Sequence, residues 1–179
     1  REAVQHMRLF VSGSAPLLPA TFEAWRARTG HVILERYGMS EAGMITSNPY
    51  AGERRCGTVG KPLPGVQLRV ADDTDAPLPV GTPGMVQIKG PNVFAGYWGM
   101  PEKTRKEFSA DGWFRTGDIG QLDADGYLAI VGRAKDLIIS GGYNVYPKEI
   151  ELALDALPGV IESAVIGVPD ADYGEAVVA

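Results

Sequence analysis

The sequence has very little of what disulfide-bonded, membrane-spanning or nucleic-acid-binding proteins need. Cys56 is the single cysteine among 179 residues, so an intrachain disulfide is excluded and a reducing, cytoplasmic location is expected. No histidine lies near Cys56 in the sequence, so we interpret it as a passive small residue rather than a nucleophile. No apolar run approaches the roughly 18 residues of a membrane-spanning helix. The net charge of -5 disfavours nucleic acid as a partner, because such binders are usually basic.

The two ends of the sequence favour a segment of a longer chain. The first residue is Arg1 rather than methionine, and the first ten residues lack the apolar stretch and cleavage site of a signal peptide. Residues 175–179 end inside an apolar run. We therefore expect the remainder of its own chain to be a partner of this segment.

Residues 1–60 alternate strand-like and helical patterns. The apolar runs Leu9–Val11 and Val32–Leu34 predict strands. Between them, Pro19–Thr29 predicts a helix, because a proline stands near its first turn and Gly30 follows as a stop. Strand, helix and strand together form a βαβ pattern, which predicts the end of a large α/β N-terminal domain.

Residues 61–134 have shorter apolar runs separated by frequent prolines and glycines. The turn residues Asp123–Gly126 separate two strand-like runs, which is typical of a hairpin. A helix is predicted over Pro101–Phe108, opened by its proline and the acidic Glu102. We predict a small, mostly antiparallel β subdomain.

Residues 135–179 return to a mixed pattern. Leu137–Ile139 and Val160–Val168 predict strands, and Pro147–Leu157 predicts a helix with a proline at its start and Pro158-Gly159 after it. This part is expected to be the start of an α+β C-terminal domain. The whole chain is therefore predicted to be of the mixed α/β class.

Four motifs have residue types suited to binding chemistry. In residues 12–17, small side chains let a ligand approach the backbone, and free N–H groups suit an anion or a purine edge, although an ordinary turn fits too. In residues 37–41, an aromatic ring, a glycine, a hydroxyl and a carboxylate could meet a nucleotide and Mg²⁺, although a solvated loop fits too.

The other two motifs lie further along the chain. In Arg115–Asp118, an aspartate after a Thr-Gly turn could accept two hydrogen bonds from a ribose diol, with a surface turn as the alternative. Residues 132–151 are charged and punctuated by glycines between two subdomains, which indicates a hinge, or else a plain linker followed by a helix.

In this order and at this spacing, the four motifs resemble the adenylate-forming superfamily of acyl-CoA synthetases, luciferases and peptide-synthetase adenylation domains. The resemblance covers essentially the whole chain. It rests on Ser12-Gly13-Ser14-Ala15-Pro16-Leu17, Tyr37-Gly38-Met39-Ser40-Glu41, Thr116-Gly117-Asp118 and Gly132-Arg133-Ala134-Lys135-Asp136. It implies two steps: ATP and a carboxylate give an acyl-adenylate and pyrophosphate, and a thiol then displaces AMP. The implied cofactors are ATP, Mg²⁺ and CoA.

The resemblance also implies residue roles. Tyr37 would pack on adenine, and Asp118 and Arg133 would bind the ribose. Ser40 would contact phosphate, Glu41 would hold Mg²⁺, and Lys135 would be the pivot of a swinging C-terminal domain. These last three are the expected catalytic residues. The full expected cofactor-binding set is Gly13, Ser14, Ala15, Glu35, Tyr37, Gly38, Met39, Ser40, Asp118, Arg133, Gly141 and Gly142. In that set, Gly13, Ser14 and Ala15 would line the adenine and acyl pocket, and the glycine pair would face the arm of CoA.

Arg36 bears on the identity of the acid. In this superfamily its position borders the acyl pocket, where Ser14 is also an expected substrate contact. A buried guanidinium without a partner is costly, but a second carboxylate on the substrate can satisfy it with two hydrogen bonds. Pairing of Arg36 with Glu35 or Glu41, or its exposure to solvent, is the alternative. The runs 44–49, 90–94 and 144–151 resemble malonyl-CoA synthetases, which implies malonate or methylmalonate.

The superfamily's phosphate loop would lie upstream of residue 1, and its catalytic lysine would lie downstream of residue 179. The isolated segment is therefore expected not to turn over, because the triphosphate and carboxylate would be incompletely positioned. Three alternatives stay open. They are a synthetase for another short, fatty or aromatic acid, a peptide-synthetase adenylation domain, and a non-catalytic AMP-binding fragment.

Overall fold

A computed structural model describes residues 2–179, which form three helices and three four-stranded sheets. A 3-10 turn over Glu2–Val4 precedes strand β1 (Val11–Ser12), helix α1 (Pro19–Thr29) and strand β2 (Leu34–Met39). β1 pairs with β2 in parallel, as the βαβ pattern predicts.

Helix α1 has the predicted bounds. It opens on a proline in its first turn and ends at Gly30, whose φ of 81° is left-handed and whose N–H donates to the carbonyl of Arg26 at 2.8 Å. Phe22 is buried on the inner face, and the ring of Trp25 lies 4.9 Å from that of Phe10. These apolar contacts fix the helix against the segment that leads into β1.

Strand β2 corrects two predictions. The strand expected over Val32–Leu34 starts only at Leu34, and Tyr37–Met39, expected to follow a strand, are the last residues of β2. β2 starts where it pairs with β1, and it continues to Met39 because it forms a hairpin with β3 (Gly43–Ser47), in which Tyr37 pairs with Thr46. A Cβ on Gly38 would lie 2.3 Å from the carbonyl oxygen of Gly43, so this close approach requires glycine. β4 (Lys61–Pro62) completes the first sheet beside β3.

The second sheet confirms the antiparallel β subdomain. Its strands are β5 (Gln67–Ala71), β6 (Gly84–Lys89), β7 (Phe114–Leu122) and β8 (Leu128–Arg133), in sequence order across the sheet. β7 and β8 form the predicted hairpin, and α2 (Pro101–Glu107) precedes β7. The core shared by the first two sheets contains Ala42, Ile45, Val70, Val86, Ile88, Phe114 and Leu128.

The Thr-Gly turn predicted before Asp118 is wrong, because these residues lie inside β7. Gln87 pairs with Arg115 and Met85 with Ile119, so β7 spans four residues where β6 spans two. Residues 116–118 are thus a bulge, and Gly117 within it has a φ of 78°. A bulge redirects side chains, and here it determines where Asp118 points.

The third sheet contains β9 (Ile138–Ser140), β10 (Tyr143–Val145), β11 (Ile166–Asp170) and β12 (Gly174–Val178), with α3 (Pro147–Asp155) between β10 and β11. A 3-10 turn over Ala134–Asp136 connects it to β8. The strand predicted from Val160 starts only at Ile166, because residues 160–165 have no strand partner. None of the helices within residues 2–179 has the length and apolar character needed to cross a bilayer.

A polar network covers the outer face of β5, β6 and β7. Arg69 contacts both carboxylate oxygens of Asp111, at 2.9 and 3.2 Å, and donates to Gln87 at 2.8 Å. The buried Gln87 donates to Asp75 at 2.6 Å, and Asp75 also forms an ion pair with Arg115. The hydrogen bond from Arg69, followed by one from Ser109, lowers the pKa of Asp111 to about 2, and the bond from Arg115 lowers the pKa of Asp75.

This network predicts a loss of stability in acid. A carboxyl group whose pKa is depressed on folding stabilises the protein above its unfolded pKa, and that contribution disappears as the pH falls through the folded value. We expect the urea midpoint to fall between about pH 4 and about pH 2. The urea midpoint of Asp111→Asn should fall less steeply over the same pH interval, because the asparagine side chain does not titrate. Parallel curves for the variant and the parent protein would contradict this assignment.

Candidate functional site

Asp118 is a buried carboxylate at the centre of a polar cluster. The hydroxyl of Tyr37 donates to its Oδ2 at 2.5 Å, and Nε of Arg133 lies 3.3 Å from its Oδ1. Asp118 is 6% exposed, whereas the Arg133 side chain is 64% exposed and continues toward solvent. Burial, followed by the negative charge of Asp118, raises the pKa of Tyr37. Three residues from three separate motifs, here called the Asp118 cluster, therefore form one contact group.

Thr116 holds the bulge that presents this carboxylate. Its hydroxyl donates to the carbonyl of Val86 at 2.9 Å and accepts the N–H of Asp118 at 3.1 Å. The side chain is 9% exposed. Sequence reasoning assigned no such role to Thr116, and its position in the Thr-Gly-Asp motif is the signal that could have indicated it.

Glu35 lies two residues before Tyr37 on the same face of β2 and is 6% exposed. Its Oε1 atom is buried without a hydrogen-bond partner among residues 2–179. Burial raises the pKa of Glu35, and backbone N–H groups of Gly57 and Leu17 oppose that shift in part. A buried carboxyl oxygen without a partner can accept a hydrogen bond from a ligand.

Arg36 projects from the opposite face of β2. Its guanidinium donates to the sulfur of Met44, and no carboxylate within residues 2–179 forms an ion pair with it. The proposed pairing with Glu35 or Glu41 is therefore absent from the described part of the chain. A Cβ on Gly13 would lie 3.2 Å from the carbonyl oxygen of Arg36 and 3.3 Å from its Cγ. Gly13 therefore lies beside Arg36, and the acyl pocket that they are expected to share stays a prediction.

Ser40 and Glu41 lie in the turn between β2 and β3. Ser40 is exposed, whereas Glu41 is partly buried and accepts a hydrogen bond from the hydroxyl of Tyr97 at 3.1 Å. The carbonyl of Glu41 accepts the N–H of Phe94 at 2.8 Å. The segment that follows β6 therefore holds this turn, a connection that the motifs did not indicate.

Within residues 2–179, no side-chain hydrogen bond or ion pair joins the Asp118 cluster to Ser14, Ala15, Lys135, Gly141 or Gly142. Ser14 and Ala15 are exposed after β1, and Ser14 has a φ of 74°, a strained conformation for a residue with a Cβ. Lys135 is 72% exposed and lies 3.9 Å from Asp136. Gly141 and Gly142, with φ of 57° and 84°, form the exposed turn between β9 and β10.

Two surface cavities lie away from these residues. One of about 520 Å³ is bordered by α1 and residues 52–54, and one of about 380 Å³ lies beside α2. None of the predicted site residues lines either cavity. Within residues 2–179, no group of three or more His, Cys, Asp or Glu side chains could hold a metal ion. A cation at Glu41 would therefore need oxygen ligands from a bound phosphate and water, which is how Mg²⁺ is usually held beside nucleotides.

Comparison with known proteins gives relatives that are named as CoA ligases for different acids, long-chain fatty acids among them. Residues 1–98 match the family described as AMP-binding enzyme. The chain is 46% identical over 178 residues to the malonate--CoA ligase of Arabidopsis thaliana, covering 99% of this chain and 29% of that protein. It is 46% identical over 180 residues to the sulfoacetate--CoA ligase of Cupriavidus necator, covering 99% and 35%.

Solved structures of similar sequence also have a similar fold. A crystal structure of ATP-bound MatB from Rhodopseudomonas palustris is 63% identical and superposes with a TM-score of 0.95, covering 98% of this chain and 35% of that one. The chain thus spans about a third of the length of the proteins that it matches.

Proposed function

Because the chain belongs to the AMP-binding enzyme family, we propose that it is part of an ATP-dependent acyl-CoA synthetase that makes malonyl-CoA from malonate, ATP and CoA. The relatives named as CoA ligases support activation of an acid as its CoA thioester. A carboxylate oxygen is a poor leaving group, whereas AMP leaves readily. The proposed route therefore passes through a malonyl-adenylate, which the thiol of CoA then attacks.

The observation that carries the choice of malonate is the state of Arg36. Its guanidinium contacts a thioether sulfur rather than a carboxylate, so its positive charge is not compensated by an ion pair within residues 2–179. A second carboxylate on the substrate would supply the compensating negative charge and would accept two parallel hydrogen bonds from the guanidinium. A fatty or aromatic acid would leave the guanidinium without an anionic partner, which is unfavourable once the pocket is closed from water.

The named relatives support the same conclusion from their substrates. Malonate and sulfoacetate are both short acids that carry a second anionic group, a carboxylate in one and a sulfonate in the other. A single arginine beside the acyl pocket can serve either group, because both present oxygens to its N–H donors. Malonate is preferred here, and methylmalonate remains within the proposal.

The Asp118 cluster is the proposed nucleotide site. In the bound state, Asp118 would accept the ribose hydroxyls, Arg133 would help to hold the ribose, and the ring of Tyr37 would pack on adenine. The unpaired oxygen of Glu35 could accept from the adenine amino group, and the backbone at Gly38 and Met39 would line the same site. Gly13, Ser14 and Ala15 would border adenine and the acyl group, as proposed for Ser14 as a substrate contact.

Ser40, Glu41 and Lys135 are the proposed catalytic residues. Ser40 would donate its hydroxyl to a phosphate oxygen, and Glu41 would hold Mg²⁺, which supplies charge neutralisation to the phosphates when bound. Lys135 is exposed at the junction between β8 and the third sheet, where a pivot would have to lie. Gly141 and Gly142 would face the CoA arm after the swing.

This assignment carries a domain proposal. Residues 1–60 and 61–134 would be two subdomains of the AMP-binding domain, and 135–179 the start of the swinging domain. β4 lies just past the first boundary and pairs with the first sheet, and the second boundary falls in the 3-10 turn over Ala134–Asp136.

The proposal is tested with the full-length protein and a panel of acids. Malonate, methylmalonate, sulfoacetate, acetate and palmitate are each supplied with ATP and Mg²⁺, and pyrophosphate exchange and CoA thioester are measured. Malonate should give the highest kcat/KM, and acetate should be poor because it lacks the second carboxylate. A preference for palmitate would reject the malonate proposal but keep the acyl-CoA synthetase, whereas no exchange with any acid would favour a non-catalytic AMP-binding protein.

A further inference from the structure

Glu41 is held by a residue that lies far from it in sequence. The hydroxyl of Tyr97 donates to Oε1 of Glu41 at 3.1 Å, across 56 residues of chain. No other side chain in the described residues donates to this carboxylate. The second oxygen of Glu41 is therefore left for another ligand while the first is fixed by a neutral donor.

Tyr97 itself is anchored on several sides. Its N–H donates to Oγ1 of Thr104 at 2.9 Å, its ring lies edge-on to Phe94 at 4.8 Å, and Nζ of Lys103 lies 4.1 Å from the ring centroid. The position of this donor is therefore set by α2 and by the segment before it.

The carboxylate fits a role toward a divalent cation. Mg²⁺ beside a nucleotide needs only one or two protein carboxylates, and Glu41 offers one oxygen that is free of side-chain donors. Carboxylates that bind metals are usually oriented by hydrogen bonds from neighbouring side chains, and loss of such a donor typically weakens metal affinity about 10- to 100-fold.

We propose that Tyr97 is a positioning residue that orients the carboxylate of Glu41 toward the divalent cation of the bound nucleotide. This inference rests on the proposed function, because that function supplies the nucleotide and the cation. Tyr97 acts through Glu41 and contacts neither the substrate nor the reacting atoms. Its contribution therefore concerns metal affinity rather than nucleotide affinity.

The decisive measurement is a Mn²⁺ titration of the full-length protein with ATP, followed by the electron paramagnetic resonance signal of free Mn²⁺. In Tyr97→Phe, the ring keeps its contacts with Phe94 and Lys103, so the fold should be retained, as thermal unfolding will verify. The Mn²⁺ dissociation constant should rise about tenfold. Affinity for AMP measured without metal should stay within about twofold, since the Asp118 cluster is untouched.

Tyr127→Phe is the matched control. Tyr127 is buried, and its hydroxyl donates to the carbonyl of Glu53 at 2.8 Å, away from Glu41. Its removal should lower the unfolding temperature without moving the Mn²⁺ constant. The inference is overturned by an unchanged Mn²⁺ constant in Tyr97→Phe, by an equal shift in Tyr127→Phe, or by an equal loss of AMP affinity.

The titration and the acid panel can fail separately. Absence of pyrophosphate exchange in the parent protein would reject the proposed function, while the Mn²⁺ titration would still decide the role of Tyr97. Normal exchange together with an unshifted Mn²⁺ constant would reject only the role of Tyr97.

Discussion

Replacing Arg36 by alanine is expected to lower kcat/KM for malonate at least about 30-fold. Loss of one partner from a desolvated charge pair costs about 2–5 kcal/mol, because the other charge is left without hydrogen bonds. In the variant, the second carboxylate of malonate would lose its guanidinium partner at this position, which lies beside Met44 and Gly13. Steady-state kinetics of the full-length protein at saturating ATP and CoA will measure the effect.

The selectivity of the Arg36→Ala variant separates a specific effect from general damage. Propionate has the same number of carbons as malonate but no second carboxylate, so its kcat/KM should be unchanged or raised. Arg26→Ala is a suitable control, because Arg26 is an exposed arginine on α1 whose ion pair with Glu23 is 3.7 Å long. Full malonate activity in Arg36→Ala, or an equal loss for both acids, would remove the argument for a dicarboxylic substrate.

Gly60→Ala is expected to destabilise the fold by more than about 4 kcal/mol, which is exceptional for a single substitution. A Cβ on Gly60 would lie 1.9 to 2.0 Å from backbone atoms of Ser47 and Asn48, and backbone cannot rotate away as a flexible side chain can. Gly60 also accepts the N–H of Leu128 at 2.8 Å, where the first two sheets join. Urea unfolding of the variant, or its failure to fold, is the measurement.

Gly57→Ala separates this clash from backbone strain. Gly57 has a φ of 75°, close to the 82° of Gly60, but a Cβ there would meet no atom within 4 Å. At Gly57 an alanine would be penalised only by the left-handed backbone conformation, so the free energy of unfolding should fall by about 1–2 kcal/mol. Equal losses in the two variants would show that close packing at Gly60 contributes nothing.

Local signals were sufficient for much of the fold. α1 has the predicted bounds because its proline and Gly30 act within one helix, and the hairpin of β7 and β8 follows from the turn residues 123–126. The bounds of β2 were predicted wrongly because it pairs with β1 at its start and with β3 at its end, and no local pattern encodes either partner. The prediction that a strand starts at Val160 was wrong for the same reason, since apolar residues without a partner strand do not form a sheet.

In the candidate site, too, residues within local motifs were predicted, whereas residues that act through long-range contacts were missed. The motifs predicted that Tyr37, Asp118 and Arg133 belong together, and the structure brings them into contact. Thr116 and Tyr97 were missed, because Thr116 acts through a bulge and Tyr97 reaches Glu41 across 56 residues of chain. The roles of the remaining predicted residues stay predictions until a ligand is bound.

The bulge in β7 limits how the length of this strand can change. Side chains alternate between the two faces of a strand, so loss of one residue between Arg115 and Ile119 would reverse every side chain on one side of the deletion. Asp118 would then leave Tyr37, or Phe114 would leave the core. Insertions and deletions within the bulge should therefore survive only in pairs.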